Sequence, residues 1–327
     1  MQRSFLVAVL LPALIAVATS TEASAADKFP SFTSIADAGE DYFFQGEYSG
    51  NSATLGRVGL QIISQGAGAY HAVLFPGGLP GDGWNHSQRF NFTGKREASL
   101  LRLQGEAASI EVQIGLATLR DPSKRQLGVL RRVQRVSPTI GLAPPKDATI
   151  LFNGTSTSAF DEKAKIAPSG NLMHGTTTKD PVGDFRFHLE FRLPYMPTAT
   201  GQARGNSGVY IQKRYEVQVL DSFGLEGVHN ECGGLYKTKA PDVNMCLPPL
   251  VWQTYDIDFR AARFDAAGKK TSDARITVVQ NGVTVQNNVA IPNKTGGGQP
   301  EGVQPLPIML QDHGNPVEFR NIWIVRR

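Results

Sequence analysis

The chain has 327 residues, of which 41% are hydrophobic and 19% charged, with a formal net charge of +4. That balance excludes a disordered chain and supplies enough apolar material for buried cores. The small, scattered positive charge argues against a nucleic-acid partner; the densest basic cluster, Lys124, Arg125, Arg131, Arg132 and Arg135, reads as a solvated edge.

At the N-terminus, Arg3 precedes an apolar run from Phe5 to Ala18. A run of about 14 residues is shorter than the roughly 20 needed to span a bilayer as a helix. Ala23-Ser24-Ala25 supplies the small-x-small pattern of a cleavage site, so residues 1–25 read as a signal peptide and Ala26 as the first mature residue. The expectation is an exported protein, periplasmic or secreted, with no membrane span in the mature chain. Roughly 300 mature residues favour two domains.

Residues 26–136 read as a small β domain. Gly59–Ile63 and Tyr70–Phe75 flank a Gly66-Ala67-Gly68 hairpin signal, and Leu100–Leu103 and Ser109–Ile114 continue the strand pattern. Nothing in this half combines a nucleophile, a base and an orienting group. Residues 137–148 carry Pro138, Pro144 and Pro145 without periodicity and read as a linker.

From Thr149 to Arg327 the chain predicts strands at Phe185–Leu193, Gly208–Gln212, Tyr215–Leu220, Tyr255–Arg260, Ala274–Gln280, Val283–Val289, Ile308–Gln311 and Val317–Val325. Asn281-Gly282 has the chemistry of a two-residue hairpin turn. Strands without a convincing amphipathic helix imply an all-β sandwich or jelly roll. Cys232 and Cys246, separated by 13 residues, read as a disulfide in an oxidising compartment. Such a bridge stabilises by about 3 kcal/mol in the chain-entropy model.

Side chains alternate across a strand, so positions i and i+2 share a face. His188, Glu190 and Arg192 alternate with apolar neighbours, as do Tyr210 and Gln212, Glu216 and Gln218, and the strand ending at Gln311 and followed by Asp312-His313. Pooled onto one face, these planar hydrogen-bonding groups suit sugar hydroxyls, with Tyr210 and Trp252 available to stack on a ring. The segments Gly205–Tyr210, Tyr215–Asp221, Leu310–Gly314 and Phe319–Ile322 follow in order, with Leu151-Phe152-Asn153-Gly154, Gly234-Leu235-Tyr236, Trp252 and Asn281-Gly282 around them. In these motifs residues 147–327 resemble the 3-keto-disaccharide hydrolase family.

The resemblance implies a concanavalin A-like, laminin G-like jelly roll with a carbohydrate on its concave face. It also implies action on glycosides oxidised at C3, by hydrolysis or by elimination and hydration. For that chemistry the expected base is Glu216, with Glu190 as second carboxylate, Arg192 or His188 as electrostatic partner, and His313 and Gln311 assisting. His188, Asn206, Tyr210, Gln212, Gln218, Trp252 and Gln311 are the expected substrate-binding set. Glu190, Glu216, His188 and His313 also offer oxygen and nitrogen donors of the kinds a divalent metal takes, at no diagnostic spacing. Two other readings stay open at this point. One is a conventional glycosidase using Glu190 and Glu216 as its carboxylate pair; the other is a non-catalytic carbohydrate-binding module.

Overall fold

A computed structural model describes residues 29–327, so the signal-peptide reading lies outside the described residues. Phe32 pairs with Tyr195 ahead of a single helical turn, α1 (Asp41–Phe44). Eight strands follow: β1 (Gly46–Ser52), β2 (Gly56–Gly66), β3 (Ala69–Pro76), β4 (Phe90–Glu97), β5 (Leu100–Gln104), β6 (Ser109–Gln113), β7 (Leu116–Arg120) and β8 (Gln126–Val133). Each pairs antiparallel with the next, and β8 returns to β1 with Gly50 opposite Leu130, closing a barrel. Alternate apolar residues such as Tyr48, Leu60, Ile62, Leu103, Val112 and Leu130 fill its interior. Closure removes the exposed edges that an open sheet of short strands would present.

The second half begins with β9 (Thr149–Phe152), β10 (Leu172–Met173), β11 (Thr176–Thr177), β12 (Phe185–Arg192), β13 (Ser207–Ile211) and β14 (Tyr215–Val219). It continues with β15 (Trp252–Arg260), a small hairpin of β16 (Arg263–Phe264) and β17 (Lys270–Ser272), then β18 (Ala274–Gln280), β19 (Val283–Ile291), β20 (Met309–Leu310) and β21 (Glu318–Arg326). Asn281 and Gly282 both adopt positive φ, 51° and 81°, as the predicted β18–β19 turn requires. Seven strands form the larger sheet, ordered β10-β21-β12-β15-β18-β19 with β9 on β21, and four form the smaller one, ordered β11-β20-β13-β14. The sheets face each other across a core that includes Phe187, Leu189 and Phe191 from β12 and Val209, Ile211, Val217 and Val219 from β13 and β14.

That assignment corrects the single polar face. The alternation along each strand is as read, but β12 belongs to the larger sheet and β13, β14 and β20 to the smaller. His188, Glu190 and Arg192 therefore point out of one side of the sandwich, and Tyr210, Glu216, Gln218 and Gln311 out of the other. A two-sheet core about 10 Å thick lies between the two groups. Glu190 and Glu216 are not a carboxylate pair, and the four proposed metal donors do not converge.

The outer face of the larger sheet is instead where the linker docks. Glu190 is fully buried and accepts hydrogen bonds from Gly141 N (2.6 Å), Asn321 Nδ2 (2.9 Å) and Arg320 Nε (2.7 Å). His188 Nδ1 lies 2.6 Å from Asp256 Oδ1, its ring stacks on Trp323, and Thr139 Oγ1 donates to Asp256 Oδ2 at 2.8 Å. Trp323 Nε1 and Asn321 Nδ2 both donate to Leu142 O. Residues 137–142 are thus fastened along the sheet rather than strung between domains. Arg192 pairs with Glu318 at 2.7 Å, and the indole of Trp252 lies against Arg192 and Arg320.

Two smaller expectations are also corrected. Arg132 donates to Phe43 O and Gln45 O, and Arg135 pairs with buried Glu47, so this end of the basic cluster ties down barrel backbone and β1 instead of forming a solvated edge. Cys232 and Cys246 are free, buried thiols. Cys232 Sγ lies 3.1 Å from Tyr255 Oη, Gln280 Nε2 donates to it at 3.3 Å, and Cys246 lies beside it.

Burial alone would raise the Glu190 carboxyl. Hydrogen bonds and charge from His188, Asn321, Gly141 N–H and Arg320 outweigh it and hold the group at about 2. A carboxyl depressed on folding stabilises above its unfolded value of 4.5, and the contribution is lost as pH falls through about 2. Glu190→Ala should lower stability at pH 7 by about 3 kcal/mol, since it strands a half-exposed arginine, an amide and a backbone N–H that the buried carboxylate now satisfies. Denaturant melts of the two proteins should converge as the pH falls from 5 towards 2.

Candidate active site

The smaller sheet carries a different polar group on its outer face. β13 and β14 pair so that Tyr210 faces Glu216 and Gly208 faces Gln218, while β20 sets Met309 beside Tyr210. Gln311 N donates to Gly208 O, which places Gln311 next along the same face. Beyond β14, Leu235 bridges to Val217 and Tyr236 N donates to Glu216 O, extending the sheet edge by one irregular segment. Residues Thr295–Gly298 run alongside, and Thr295 Oγ1 accepts from Glu216 N at 2.7 Å.

Glu216 stands at the centre. Its Oε2 accepts from Tyr210 Oη at 2.7 Å, and no other side chain donates to the carboxyl among the described residues. Only 2% of Glu216 is exposed. Burial raises the carboxyl to about 7, and the single Tyr210 hydrogen bond lowers it only slightly. The contrast with Glu190 is chemical: one carboxylate is saturated with donors and permanently charged, whereas the other exchanges its proton near neutrality. Tyr210 is held neutral by burial and by the carboxyl beside it.

Gly208 lies beneath this group. A Cβ there would stand 2.6 Å from Glu216 Oε1 and 3.1 Å from Gln311 Oε1, so only glycine leaves both side chains in place. Gln311 Oε1 and Gln218 Oε1 are buried acceptors with no partner. Two unfilled acceptors beside an unsaturated carboxyl suit a ligand rich in hydroxyl donors.

The other expected site residues divide clearly. Asn206 joins the group, because its Oδ1 accepts from Gln218 Nε2 at 2.8 Å. Gln212 does not: it sits at φ 52° in the β13–β14 turn, donates to Val182 O and accepts from Arg214. Trp252, Arg192, His188 and Glu190 lie on the opposite side of the sandwich, as sheet order dictates. His313 is exposed past the end of β20, outside the buried cluster.

Two residues near this face were given no site role in the sequence reading. Tyr236 lies close enough to Tyr210 to act on its hydroxyl electrostatically, and a Cβ on Gly296 would meet its ring at 2.4 Å. His174 Nδ1 is 3.2 Å from Asp312 Oδ1, one residue beyond Gln311. Both lie in irregular segments, where alternation carries no signal; the His174-Gly175 and Gly234-Leu235-Tyr236 turns were the only local cues.

Because the folded Glu216 value is raised above 4.5, its stabilisation is complete below 4.5 and lost as pH climbs through about 7. Glu216→Gln should therefore flatten the fall in stability between pH 5 and 8, read from denaturant midpoints. Tyr210→Phe removes the one hydrogen bond to the Glu216 carboxyl among the described residues, and carbon-13 titration of Glu216 should show its midpoint moving above 7.

A model of the 3-keto-alpha-glucoside-1,2-lyase-like domain matches residues 147–325. No curated protein matches the sequence. Among solved structures, a protein of Parabacteroides distasonis ATCC 8503, provisionally named a glycosyl hydrolase, is 36% identical with a TM-score of 0.51. That match covers 56% of this chain and 85% of the other. Two further P. distasonis proteins with the same provisional name are 18% and 22% identical, with TM-scores of 0.41 and 0.38. They cover 56% and 55% of this chain, and 94% and 99% of their own. The buried acid and free acceptors described above thus lie within the matched residues. The chain belongs to the 3-keto-alpha-glucoside-1,2-lyase-like family, whose members act on glycosides as hydrolases or lyases.

Proposed function

We propose that this protein is exported and cleaves glycosides oxidised at C3 on the outer face of its smaller sheet, with Glu216 as the base. The observation that carries the reading is the Glu216 carboxyl: buried, held by one tyrosine, and poised at about 7. A base whose proton affinity matches neutral pH can both take a proton and return it. An ordinary glycoside offers no proton acidic enough for such a base, whereas a C3 ketone acidifies the hydrogen on C2.

The step balances with this chain's groups. The Glu216 carboxylate removes the C2 proton, and the bonding electrons pass into an enolate spanning C2, C3 and the C3 oxygen. Tyr210, whose hydroxyl then no longer faces a carboxylate, turns its O–H to the enolate oxygen. Return of the electrons forms the C1–C2 double bond and breaks the bond from C1 to the departing oxygen, which takes the proton that Glu216 now carries. Addition of water across that double bond completes a net hydrolysis. Gln311 and Gln218 accept hydroxyl donors of the sugar, and Gly208 leaves room for the side chains of Glu216 and Gln311. The family's own description as 1,2-lyase-like supports elimination as the first step.

A 3-keto disaccharide and its unoxidised parent, each with and without chelator, test the reading. Turnover of the keto sugar alone is expected, rising as pH passes through 7. Glu216→Gln should lower kcat by about 10²–10⁴-fold, the usual worth of a general base. Turnover of the parent at a comparable rate would overturn the C3 specificity, and an unaffected Gln variant would overturn the role of Glu216.

A further inference from the structure

A cleft lies between the barrel and the sandwich, on the opposite side from Glu216. It has a volume of about 430 Å³, within the range of small-molecule clefts. One wall comes from α1 and the paired ends of β1 and β8, including Tyr42 and Arg132; the other comes from the segment leading into β15, with Val251 and Trp252, and from Arg320 on β21. Most of the remaining lining is apolar.

Charge in this cavity is one-sided. Arg135 is matched by Glu47, Arg320 by Glu190, and Arg192, beside Trp252, by Glu318. Arg132 is matched by nothing: its guanidinium meets only the carbonyls of Phe43 and Gln45, and no carboxylate pairs with it among the described residues. Arg320 spends its Nε on Glu190, and its two terminal nitrogens make no hydrogen bond among the described residues. Arg132 and Arg192 both act on the Tyr42 hydroxyl as a positive potential would, although burial outweighs them. The Trp252 indole, held against Arg192 and Arg320, supplies a flat apolar surface beside these cations.

We propose that this interdomain cavity is a second binding site, for a saccharide carrying a carboxylate. The carboxylate sits against the guanidinium fork of Arg320 with Arg132 nearby, and the ring lies against Trp252 and the apolar walls. That the ring is a sugar rests on the carbohydrate-active character of the family; the anion rests on the arginines alone. The site draws residues from both halves of the chain, so the barrel contributes to recognition and not merely to folding.

Glucuronate, glucose and benzoate, titrated separately into the full-length protein by calorimetry, provide the test. Glucuronate should bind at least tenfold more tightly than either of the others. Arg132→Gln and Val251→Trp should each weaken it at least tenfold, the second by filling the cavity without removing any hydrogen bond described above. Unchanged melting midpoints would identify these losses as local. Glu216→Gln should leave glucuronate binding intact, which separates this site from the proposed chemistry. Equal binding of glucose, no binding of glucuronate, or loss of binding in Glu216→Gln with retention in Val251→Trp would overturn the proposal. Tighter binding of benzoate would overturn the sugar while retaining the anion site.

Discussion

The carboxylate of Glu190 decides which outer face of the sandwich the linker covers. Set on the central region of the larger sheet, it is buried without becoming neutral, because Arg320, Asn321 and the Gly141 backbone all donate to it. A charge removed from water is tolerated only when it is saturated in this way. Meeting that demand draws the linker across the sheet, and His188, Asp256 and Trp323 fasten the same stretch. The barrel is then held against the sandwich, where Tyr195 donates to Ser64 and Arg89 to Gly224 O. One outer face of the sandwich is closed by the protein itself.

The other face shows the opposite treatment of a carboxyl. Glu216 is as deeply buried as Glu190, yet it has one donor instead of three. Gly208 prevents the floor from rising into it, and the neighbouring glutamines keep acceptors unfilled. Incomplete satisfaction in a buried place is costly to a fold, and it is tolerated where a ligand completes it. Two glutamates drawn from strands of the same alternating pattern thus serve different ends, one binding domains together and one left ready for a proton.

Much of the fold was legible along the chain. The strand now spanning Ala274–Gln280 was read to the residue, and the Asn281-Gly282 turn adopts the positive φ values its chemistry asks for. Gly205–Tyr210 and Tyr215–Asp221 carried the family resemblance, and the matched residues 147–325 bear it out. Glu216, Tyr210, Gln218 and Gln311 were named from alternation and share one face; Asn206, named from the family motif, joins them through Gln218. Gln212 was misplaced because alternation was extended one residue into a turn. Tyr236 and His174 were given no site role because irregular segments have no period to read.

Local sequence determined which side of its own strand each residue occupies, where the hairpins turn, and that the chain is all β. Tertiary structure alone decided that β12 joins one sheet while β13, β14 and β20 join the other. The reason is physical: a period of two distinguishes the core side of a strand from its outer side, and both sheets of a sandwich satisfy that pattern equally well. Sheet membership depends on backbone pairing between distant segments, such as Phe185 with Phe259 and Val209 with Leu310. No spacing within a strand encodes it, so the separation of Glu190 from Glu216 emerges only when the chain is folded.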